Sequence, residues 1–79
     1  MITTKATGDS VTFQIEGALE GEWVDELGRR WRKLRDFQFV QLDLCRAVSI
    51  DPPGKNLIAE MFANGVEVVV RTKNPNNVQ

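Results

Sequence analysis

The chain is 79 residues long, 42% hydrophobic and 27% charged, which predicts one packed domain and excludes a disordered or fibrous chain. Ten basic and eleven acidic residues leave a net charge of −1. That balance is too even for the broad positive field that nucleic acid or an anionic membrane surface demands, so neither is expected as a partner. In chain order, Ile2 to Ala6 reads as a short strand, and Thr7-Gly8-Asp9-Ser10 supplies the turn chemistry of a hairpin. From Val11 to Glu16 apolar and polar residues alternate, with Val11, Phe13 and Ile15 on one face, the pattern of a half-buried strand.

After Gly17 the period changes. Trp23, Leu27, Trp31 and Leu34, with Val24 beside them, make one stripe of a helix from about Glu20 to Arg35, and both tryptophans are expected in the core. Its first turns are acidic and its last turns carry Arg29, Arg30, Arg32, Lys33 and Arg35, the order the helix macrodipole favours. The basic cluster is thereby explained as a solvated helix end. Phe39 to Leu44 alternates again, with Val40, Leu42 and Leu44 on one face. Asp51 is a good N-cap, Pro52 suits the first helical position, and Leu57, Ile58, Met61 and Phe62 form an apolar face that Asn64-Gly65 ends. Val66 to Arg71 is a valine-rich strand, and Thr72 to Gln79 a polar tail expected to fray.

This order predicts an α/β fold of two layers: three or four strands in a mostly parallel sheet, with two helices on one face. Alternation within each strand leaves Thr12, Gln14, Glu16, Phe39, Gln41, Glu67 and Val69 on the open face. Residues 1–71 form the expected domain and 72–79 the tail.

Catalytic chemistry has little to work with. The chain contains no histidine and a single cysteine, Cys45, which is expected to be structural. Asp43 and Asp51, flanking the exit of the second firm strand, are better explained as a strand-end residue and a cap than as metal ligands. Phosphate-binding glycine spacings are absent, so no cofactor is expected and the protein reads as a non-enzyme. No apolar run reaches the roughly 20 residues of a membrane span, and Met1-Ile2-Thr3-Thr4-Lys5 is no secretory signal, so a cytoplasmic location is expected. The loop from Ile50 to Gly54 lies at the carboxyl end of a parallel strand, where open α/β sheets place their binding surfaces. Ile50, Asp51, Pro52, Pro53 and Gly54 are therefore the first candidates for partner contact, with Lys55, Asn56 and Glu60 on the helix that follows.

Gly17-Ala18-Leu19, Trp23-Val24-Asp25-Glu26-Leu27, Val40-Gln41-Leu42-Asp43-Leu44, Ser49-Ile50-Asp51, Gly54 and Asn64-Gly65-Val66-Glu67-Val68-Val69-Val70 together resemble a STAS domain, the fold of bacterial anti-sigma-factor antagonists. The resemblance spans about Val11 to Arg71 and implies a protein-binding module of bacterial signalling and transcription regulation. It implies as partner an anti-sigma-factor kinase or a larger signalling complex. In that family a serine or threonine after the aspartate of a D-[ST]-x-G motif is phosphorylated. Here the motif reads Asp51-Pro52-Pro53-Gly54, so Pro52 occupies the phosphoacceptor position and offers no hydroxyl. Ser49 is the nearby hydroxyl, before the aspartate. The resemblance therefore implies a shortened relative without the usual switch. A small-ligand or nucleotide carrier using the same helix N-terminus, and a structural subunit of a larger assembly, are the competing functions. The outer edge of the last strand, rich in valine, also suggests a homodimer joined by strand pairing, the alternative being that the polar tail from Thr72 to Gln79 folds back and shields that edge.

Overall fold

The computed structural model describes residues 1–34 and 39–71. Six elements follow one another: β1 (Ile2–Thr7), β2 (Ser10–Leu19), α1 (Glu22–Arg32), β3 (Phe39–Ile50), α2 (Pro52–Ala63) and β4 (Glu67–Val69). The strands form one sheet in the order β1-β2-β3-β4. β1 and β2 are the expected hairpin, antiparallel from Ile2 against Ile15 to Thr7 against Ser10. β3 lies parallel to β2, and β4 parallel to β3. The sheet is thus mixed and mostly parallel, with both helices on one face, as alternation predicts.

One core fills the space between the layers. The sheet contributes Ile2, Val11, Phe13, Ile15, Leu19, Leu42 and Leu44; α1 adds Val24 and Leu27; α2 adds Leu57 and Met61; Val66 closes it beside β4. A fully buried aliphatic or aromatic side chain contributes about 1.5–3 kcal/mol to folding, so this cluster carries the stability of the domain. Among the described residues no polar or charged side chain is buried. The open face carries the polar half of the alternation. Thr12, Gln41 and Glu67 stand in register across β2, β3 and β4, joined by contacts of 3.5 and 3.4 Å.

Several expectations are corrected. Helix α1 begins at Glu22, two residues later than expected, and its last regular residue is Arg32; Arg35 lies outside the described residues, as does the tail from Thr72 to Gln79. Its buried stripe is Val24, Leu27 and Gly28, with Trp31 and Leu34 half-buried against the core. Trp23 is 42% exposed and is not a core anchor. Small Gly28 lies on the inward face, so α1 approaches Leu57 of α2 there, and the helix turns Trp23 to the rim. In α2, Leu57 and Met61 are buried, whereas Phe62 is 69% exposed. β4 holds three residues instead of six, because pairing with β3 stops at Val69.

β3 runs on to Ile50, well past the Leu44 where alternation ends. Between Gln14/Asp43 and Glu16/Arg46, and again between Gly17/Ala47 and Ala18/Ser49, β3 inserts one residue more than β2. Each insertion is a bulge, and each shifts the side-chain alternation by one. The residues directed to the core are accordingly Val40, Leu42, Leu44, then Ala47, then Ile50.

Candidate protein-binding surface

The loop between β3 and α2 is built around one carboxylate. Asp51 has the extended backbone of an N-cap, and its Oδ1 accepts the backbone N–H of Gly54 at 2.8 Å. Its Oδ2 accepts the backbone N–H of Gly21 at 3.1 Å. Gly21 is the N-cap of α1, with a φ of 55° that favours glycine and no side chain to cap its own helix. One aspartate therefore holds the entrances of both helices. The Asp51 N–H in turn donates to the Leu19 carbonyl at 3.3 Å, tying the loop to the end of β2.

Gly54 is required by space. A Cβ there would stand 2.9 Å from Ile50 Cγ2 and 3.0 Å from both the Leu19 carbonyl oxygen and Asp51 Oδ1. Asp51 and Gly54 thus spend their chemistry inward, while Pro52 and Pro53 occupy the first two helical positions with their rings exposed. Proline suits those positions, since their N–H groups have no intrahelical acceptor. With Gly54 bonded to Asp51 and two donors removed, little remains at this helix start to hold an anion.

The remaining candidates divide between two surfaces. Pro53, Asn56 and Glu60 face α1 and line a groove of about 670 Å³ whose other wall carries Arg29, Arg32 and Lys33. Arg32 approaches Glu60 at 3.6 Å across it, with both side chains more than half exposed, an interaction worth at most about 1 kcal/mol. Lys55 and Ile50 face the opposite side, toward the free end of β3. The basic wall of the groove was not among the residues expected at the site; the charge order along the first helix was its only signal.

One of these basic residues, Arg29, and its neighbour Arg30 are tied locally. Arg30 Nε donates to Glu26 Oε2 at 2.7 Å, Arg29 also pairs with Glu26, and Arg30 reaches the Ile2 carbonyl at 3.2 Å and Thr4 Oγ1 at 3.0 Å. Arg30 so fastens α1 to β1, and its hydrogen bond, ahead of the opposing desolvation, holds the Glu26 carboxyl below its ordinary range.

Asp43 is not at a strand exit, as expected, but in the middle of β3. Its Oδ1 accepts the Cys45 backbone N–H at 2.9 Å and so stabilises the first bulge; that bond keeps its carboxyl below the ordinary range. The neighbouring carboxylate, with some burial, pushes the Cys45 thiol up, away from the thiolate that reactivity requires. Asp43 and Asp51 belong to different contacts, and among the described residues no three ligating side chains gather as a metal site. Ser49 is exposed and donates its hydroxyl to Glu20 Oε2 at 2.9 Å.

SpoIIAA, an anti-sigma factor antagonist, in its unphosphorylated form superposes with a TM-score of 0.66 over 95% of this chain and 76% of its own, at 13% identity. The fold is STAS-like. A crystal structure of Mglu matches 98% of this chain with a TM-score of 0.70 and 28% identity, and another, in the native form, matches 90% with a TM-score of 0.70 and 24% identity. The chain corresponds to only 20% and 22% of those Mglu chains, about a fifth of their length. No protein-family model matches the sequence, and no curated protein matches it significantly. Among the described residues no helix is long and apolar enough to cross a membrane.

Proposed function

We propose that this chain is a non-catalytic protein-binding module, akin to an anti-sigma-factor antagonist but lacking its phosphorylation switch, which acts in the bacterial cytoplasm with residues 1–71 as its folded unit. One observation carries the reading. Asp51 and Gly54 are consumed in holding the β3–α2 loop rigid, while Pro52, Pro53, Lys55 and Asn56 stand exposed on it. A preorganised, exposed helix start loses little entropy on docking, which is what a protein-recognition surface needs. The likeness in fold to SpoIIAA supports a partner of the anti-sigma-factor kinase class or a larger signalling complex. The scarcity of free N–H donors at the start of α2 counts against the small-ligand reading.

Titration calorimetry of the full chain against the kinase domain of an anti-sigma factor tests this. Pro53→Glu and Asn56→Arg should each weaken binding at least tenfold, about 1.4 kcal/mol, with the melting transition unchanged. Absence of binding, or unchanged affinity in both variants, would refute the proposed surface. Incubation of the same pair with ATP should leave the intact mass of the chain unaltered; a phosphate mapped to Ser49 would overturn the switchless reading.

A further inference from the structure

Beyond that surface lies a second one, on the edge of the sheet. β3 has twelve residues, but β4 pairs only with Gln41, Leu42 and Asp43. Among the described residues nothing pairs with that side of β3 from Leu44 to Ile50, although its other side stays bonded to β2 as far as Leu19. Strand backbone without a neighbour presents N–H and C=O groups as a template for another chain. β4 occupies the adjacent lane and ends at Val69, so an added strand would lie end-on to it. At about 3.3 Å per residue, the open length accepts a strand of about five or six residues, the usual size.

The lane is shaped as well as open. Beside it lies a groove of about 570 Å³, with Val48 82% exposed and Val70 61% exposed on its walls. Strand edges are ordinarily blunted by charge, cover or bulges; this edge carries the two bulges, but among the described residues nothing covers its valines. The lining includes Lys55 and Arg71 and no acidic side chain. Lys55 sits one turn beyond Ile50, and Arg71 two residues beyond the Val69 that pairs with Asp43, so the cations mark the two ends of the lane.

We propose that the edge of β3 from Leu44 to Ile50 is a docking site for an extended, acid-flanked peptide segment of a partner protein, added to the sheet as a further strand. Main-chain bonds along an edge supply affinity, and flanking contacts supply selectivity. The charges choose the occupant. In a two-fold pairing of one β3 edge with another, Arg71 of one copy would meet Lys55 of the second at both ends, a like-charge arrangement. A strand with a carboxylate at each end instead satisfies both cations. Lys55 borders both surfaces, but Pro53 and Asn56 lie on the other side of α2, so the Pro53 and Asn56 variants test the first surface and peptide binding to the β3 edge tests this one.

The probe is a fluorescein-labelled octapeptide of alternating valine and threonine with glutamate at each end, titrated into the full chain and followed by anisotropy. A lysine-ended version should bind at least tenfold more weakly, and the double variant Lys55→Glu, Arg71→Glu should reverse that preference, whereas Lys5→Glu on β1 should leave it alone. N-methylation of alternate peptide nitrogens should abolish binding in one phase and spare it in the other, because only one set of N–H groups faces β3. Amide exchange between Leu44 and Ile50 should slow when the peptide binds. Binding without charge preference, or equal binding of both N-methylated series, would overturn the proposal. So would protection, without peptide, of the amides that face away from β2, leaving aside the Cys45 N–H already held by Asp43: protection that rises with protein concentration would assign the edge to a second copy, and protection independent of concentration to a segment of this same chain.

Discussion

Asp51 illustrates how much a single side chain can organise when its two oxygens face different parts of the chain. The bond to Gly54 closes the first turn of α2, and the bond to Gly21 spans thirty positions to the start of α1. Asp51→Ala should therefore cost more than an ordinary cap, about 2 kcal/mol at the upper end of the range for such residues, in urea denaturation. Asp51→Asn keeps one accepting oxygen and should lose about half as much. A wild-type midpoint for the alanine variant would mean that neither bond contributes. The cap and the helix-opening proline were legible in the sequence because capping is local chemistry, complete within four residues. The grip on Gly21 was not, since it depends on β2 and β3 lying side by side. Asp43 was placed at a strand exit for a related reason: nothing in the order Asp43-Leu44-Cys45 announces a bulge.

At the scale of the element, regular repetition was legible and its interruptions were not. β2 alternates without a break from Val11 to Ile15 and is a strand there, though it runs on past the expected Glu16 to Leu19; alternation in β3 stops at Leu44, where the first bulge shifts its period, and the strand continues to Ile50. Ala47 and Ile50 return to the core at spacings of three, a rhythm of neither a plain strand nor a helix. The helices show a parallel limit. Spacings of three and four identified α1, but several overlapping stripes satisfy them, and apolar bulk drew the choice toward Trp23. Packing instead selected Val24, Leu27 and Gly28, which let α1 and α2 come close. This sets an order of costs. Leu27→Ala, at a fully buried position, should destabilise the domain by about 2–5 kcal/mol, and Trp23→Ala, at the exposed rim, by under about 1 kcal/mol. Thermal and denaturant melts of the pair decide it; equal losses would return Trp23 to the core.

For the whole molecule, the topology followed from element order and the preference for right-handed crossovers, so the mixed sheet with both helices on one face was predictable before any contact was known. What lies at the sheet's margins was less so, because strand length at an edge depends on pairing. The sheet is unequal from centre to margin: β2 and β3 are joined along most of their length, and β4 hangs on three residue pairs. Native-state hydrogen exchange should therefore open β4 first among the strands, with the amides of Phe13 and Leu42 exchanging last and only on global unfolding. Exchange of β4 as slow as that of the centre would mean that it is held by more than its pairing with β3. The two bulges carry a different consequence, one for how the chain can change over generations. In an unbroken strand the loss of one residue turns every later side chain inside out. Val48 has no partner on β2, so its deletion would close a bulge and leave Ala47 and Ile50 opposite Gly17 and Leu19 as before. Lineages of this fold can shorten β3 at such a point while keeping the inward face and the Asp51 loop in phase.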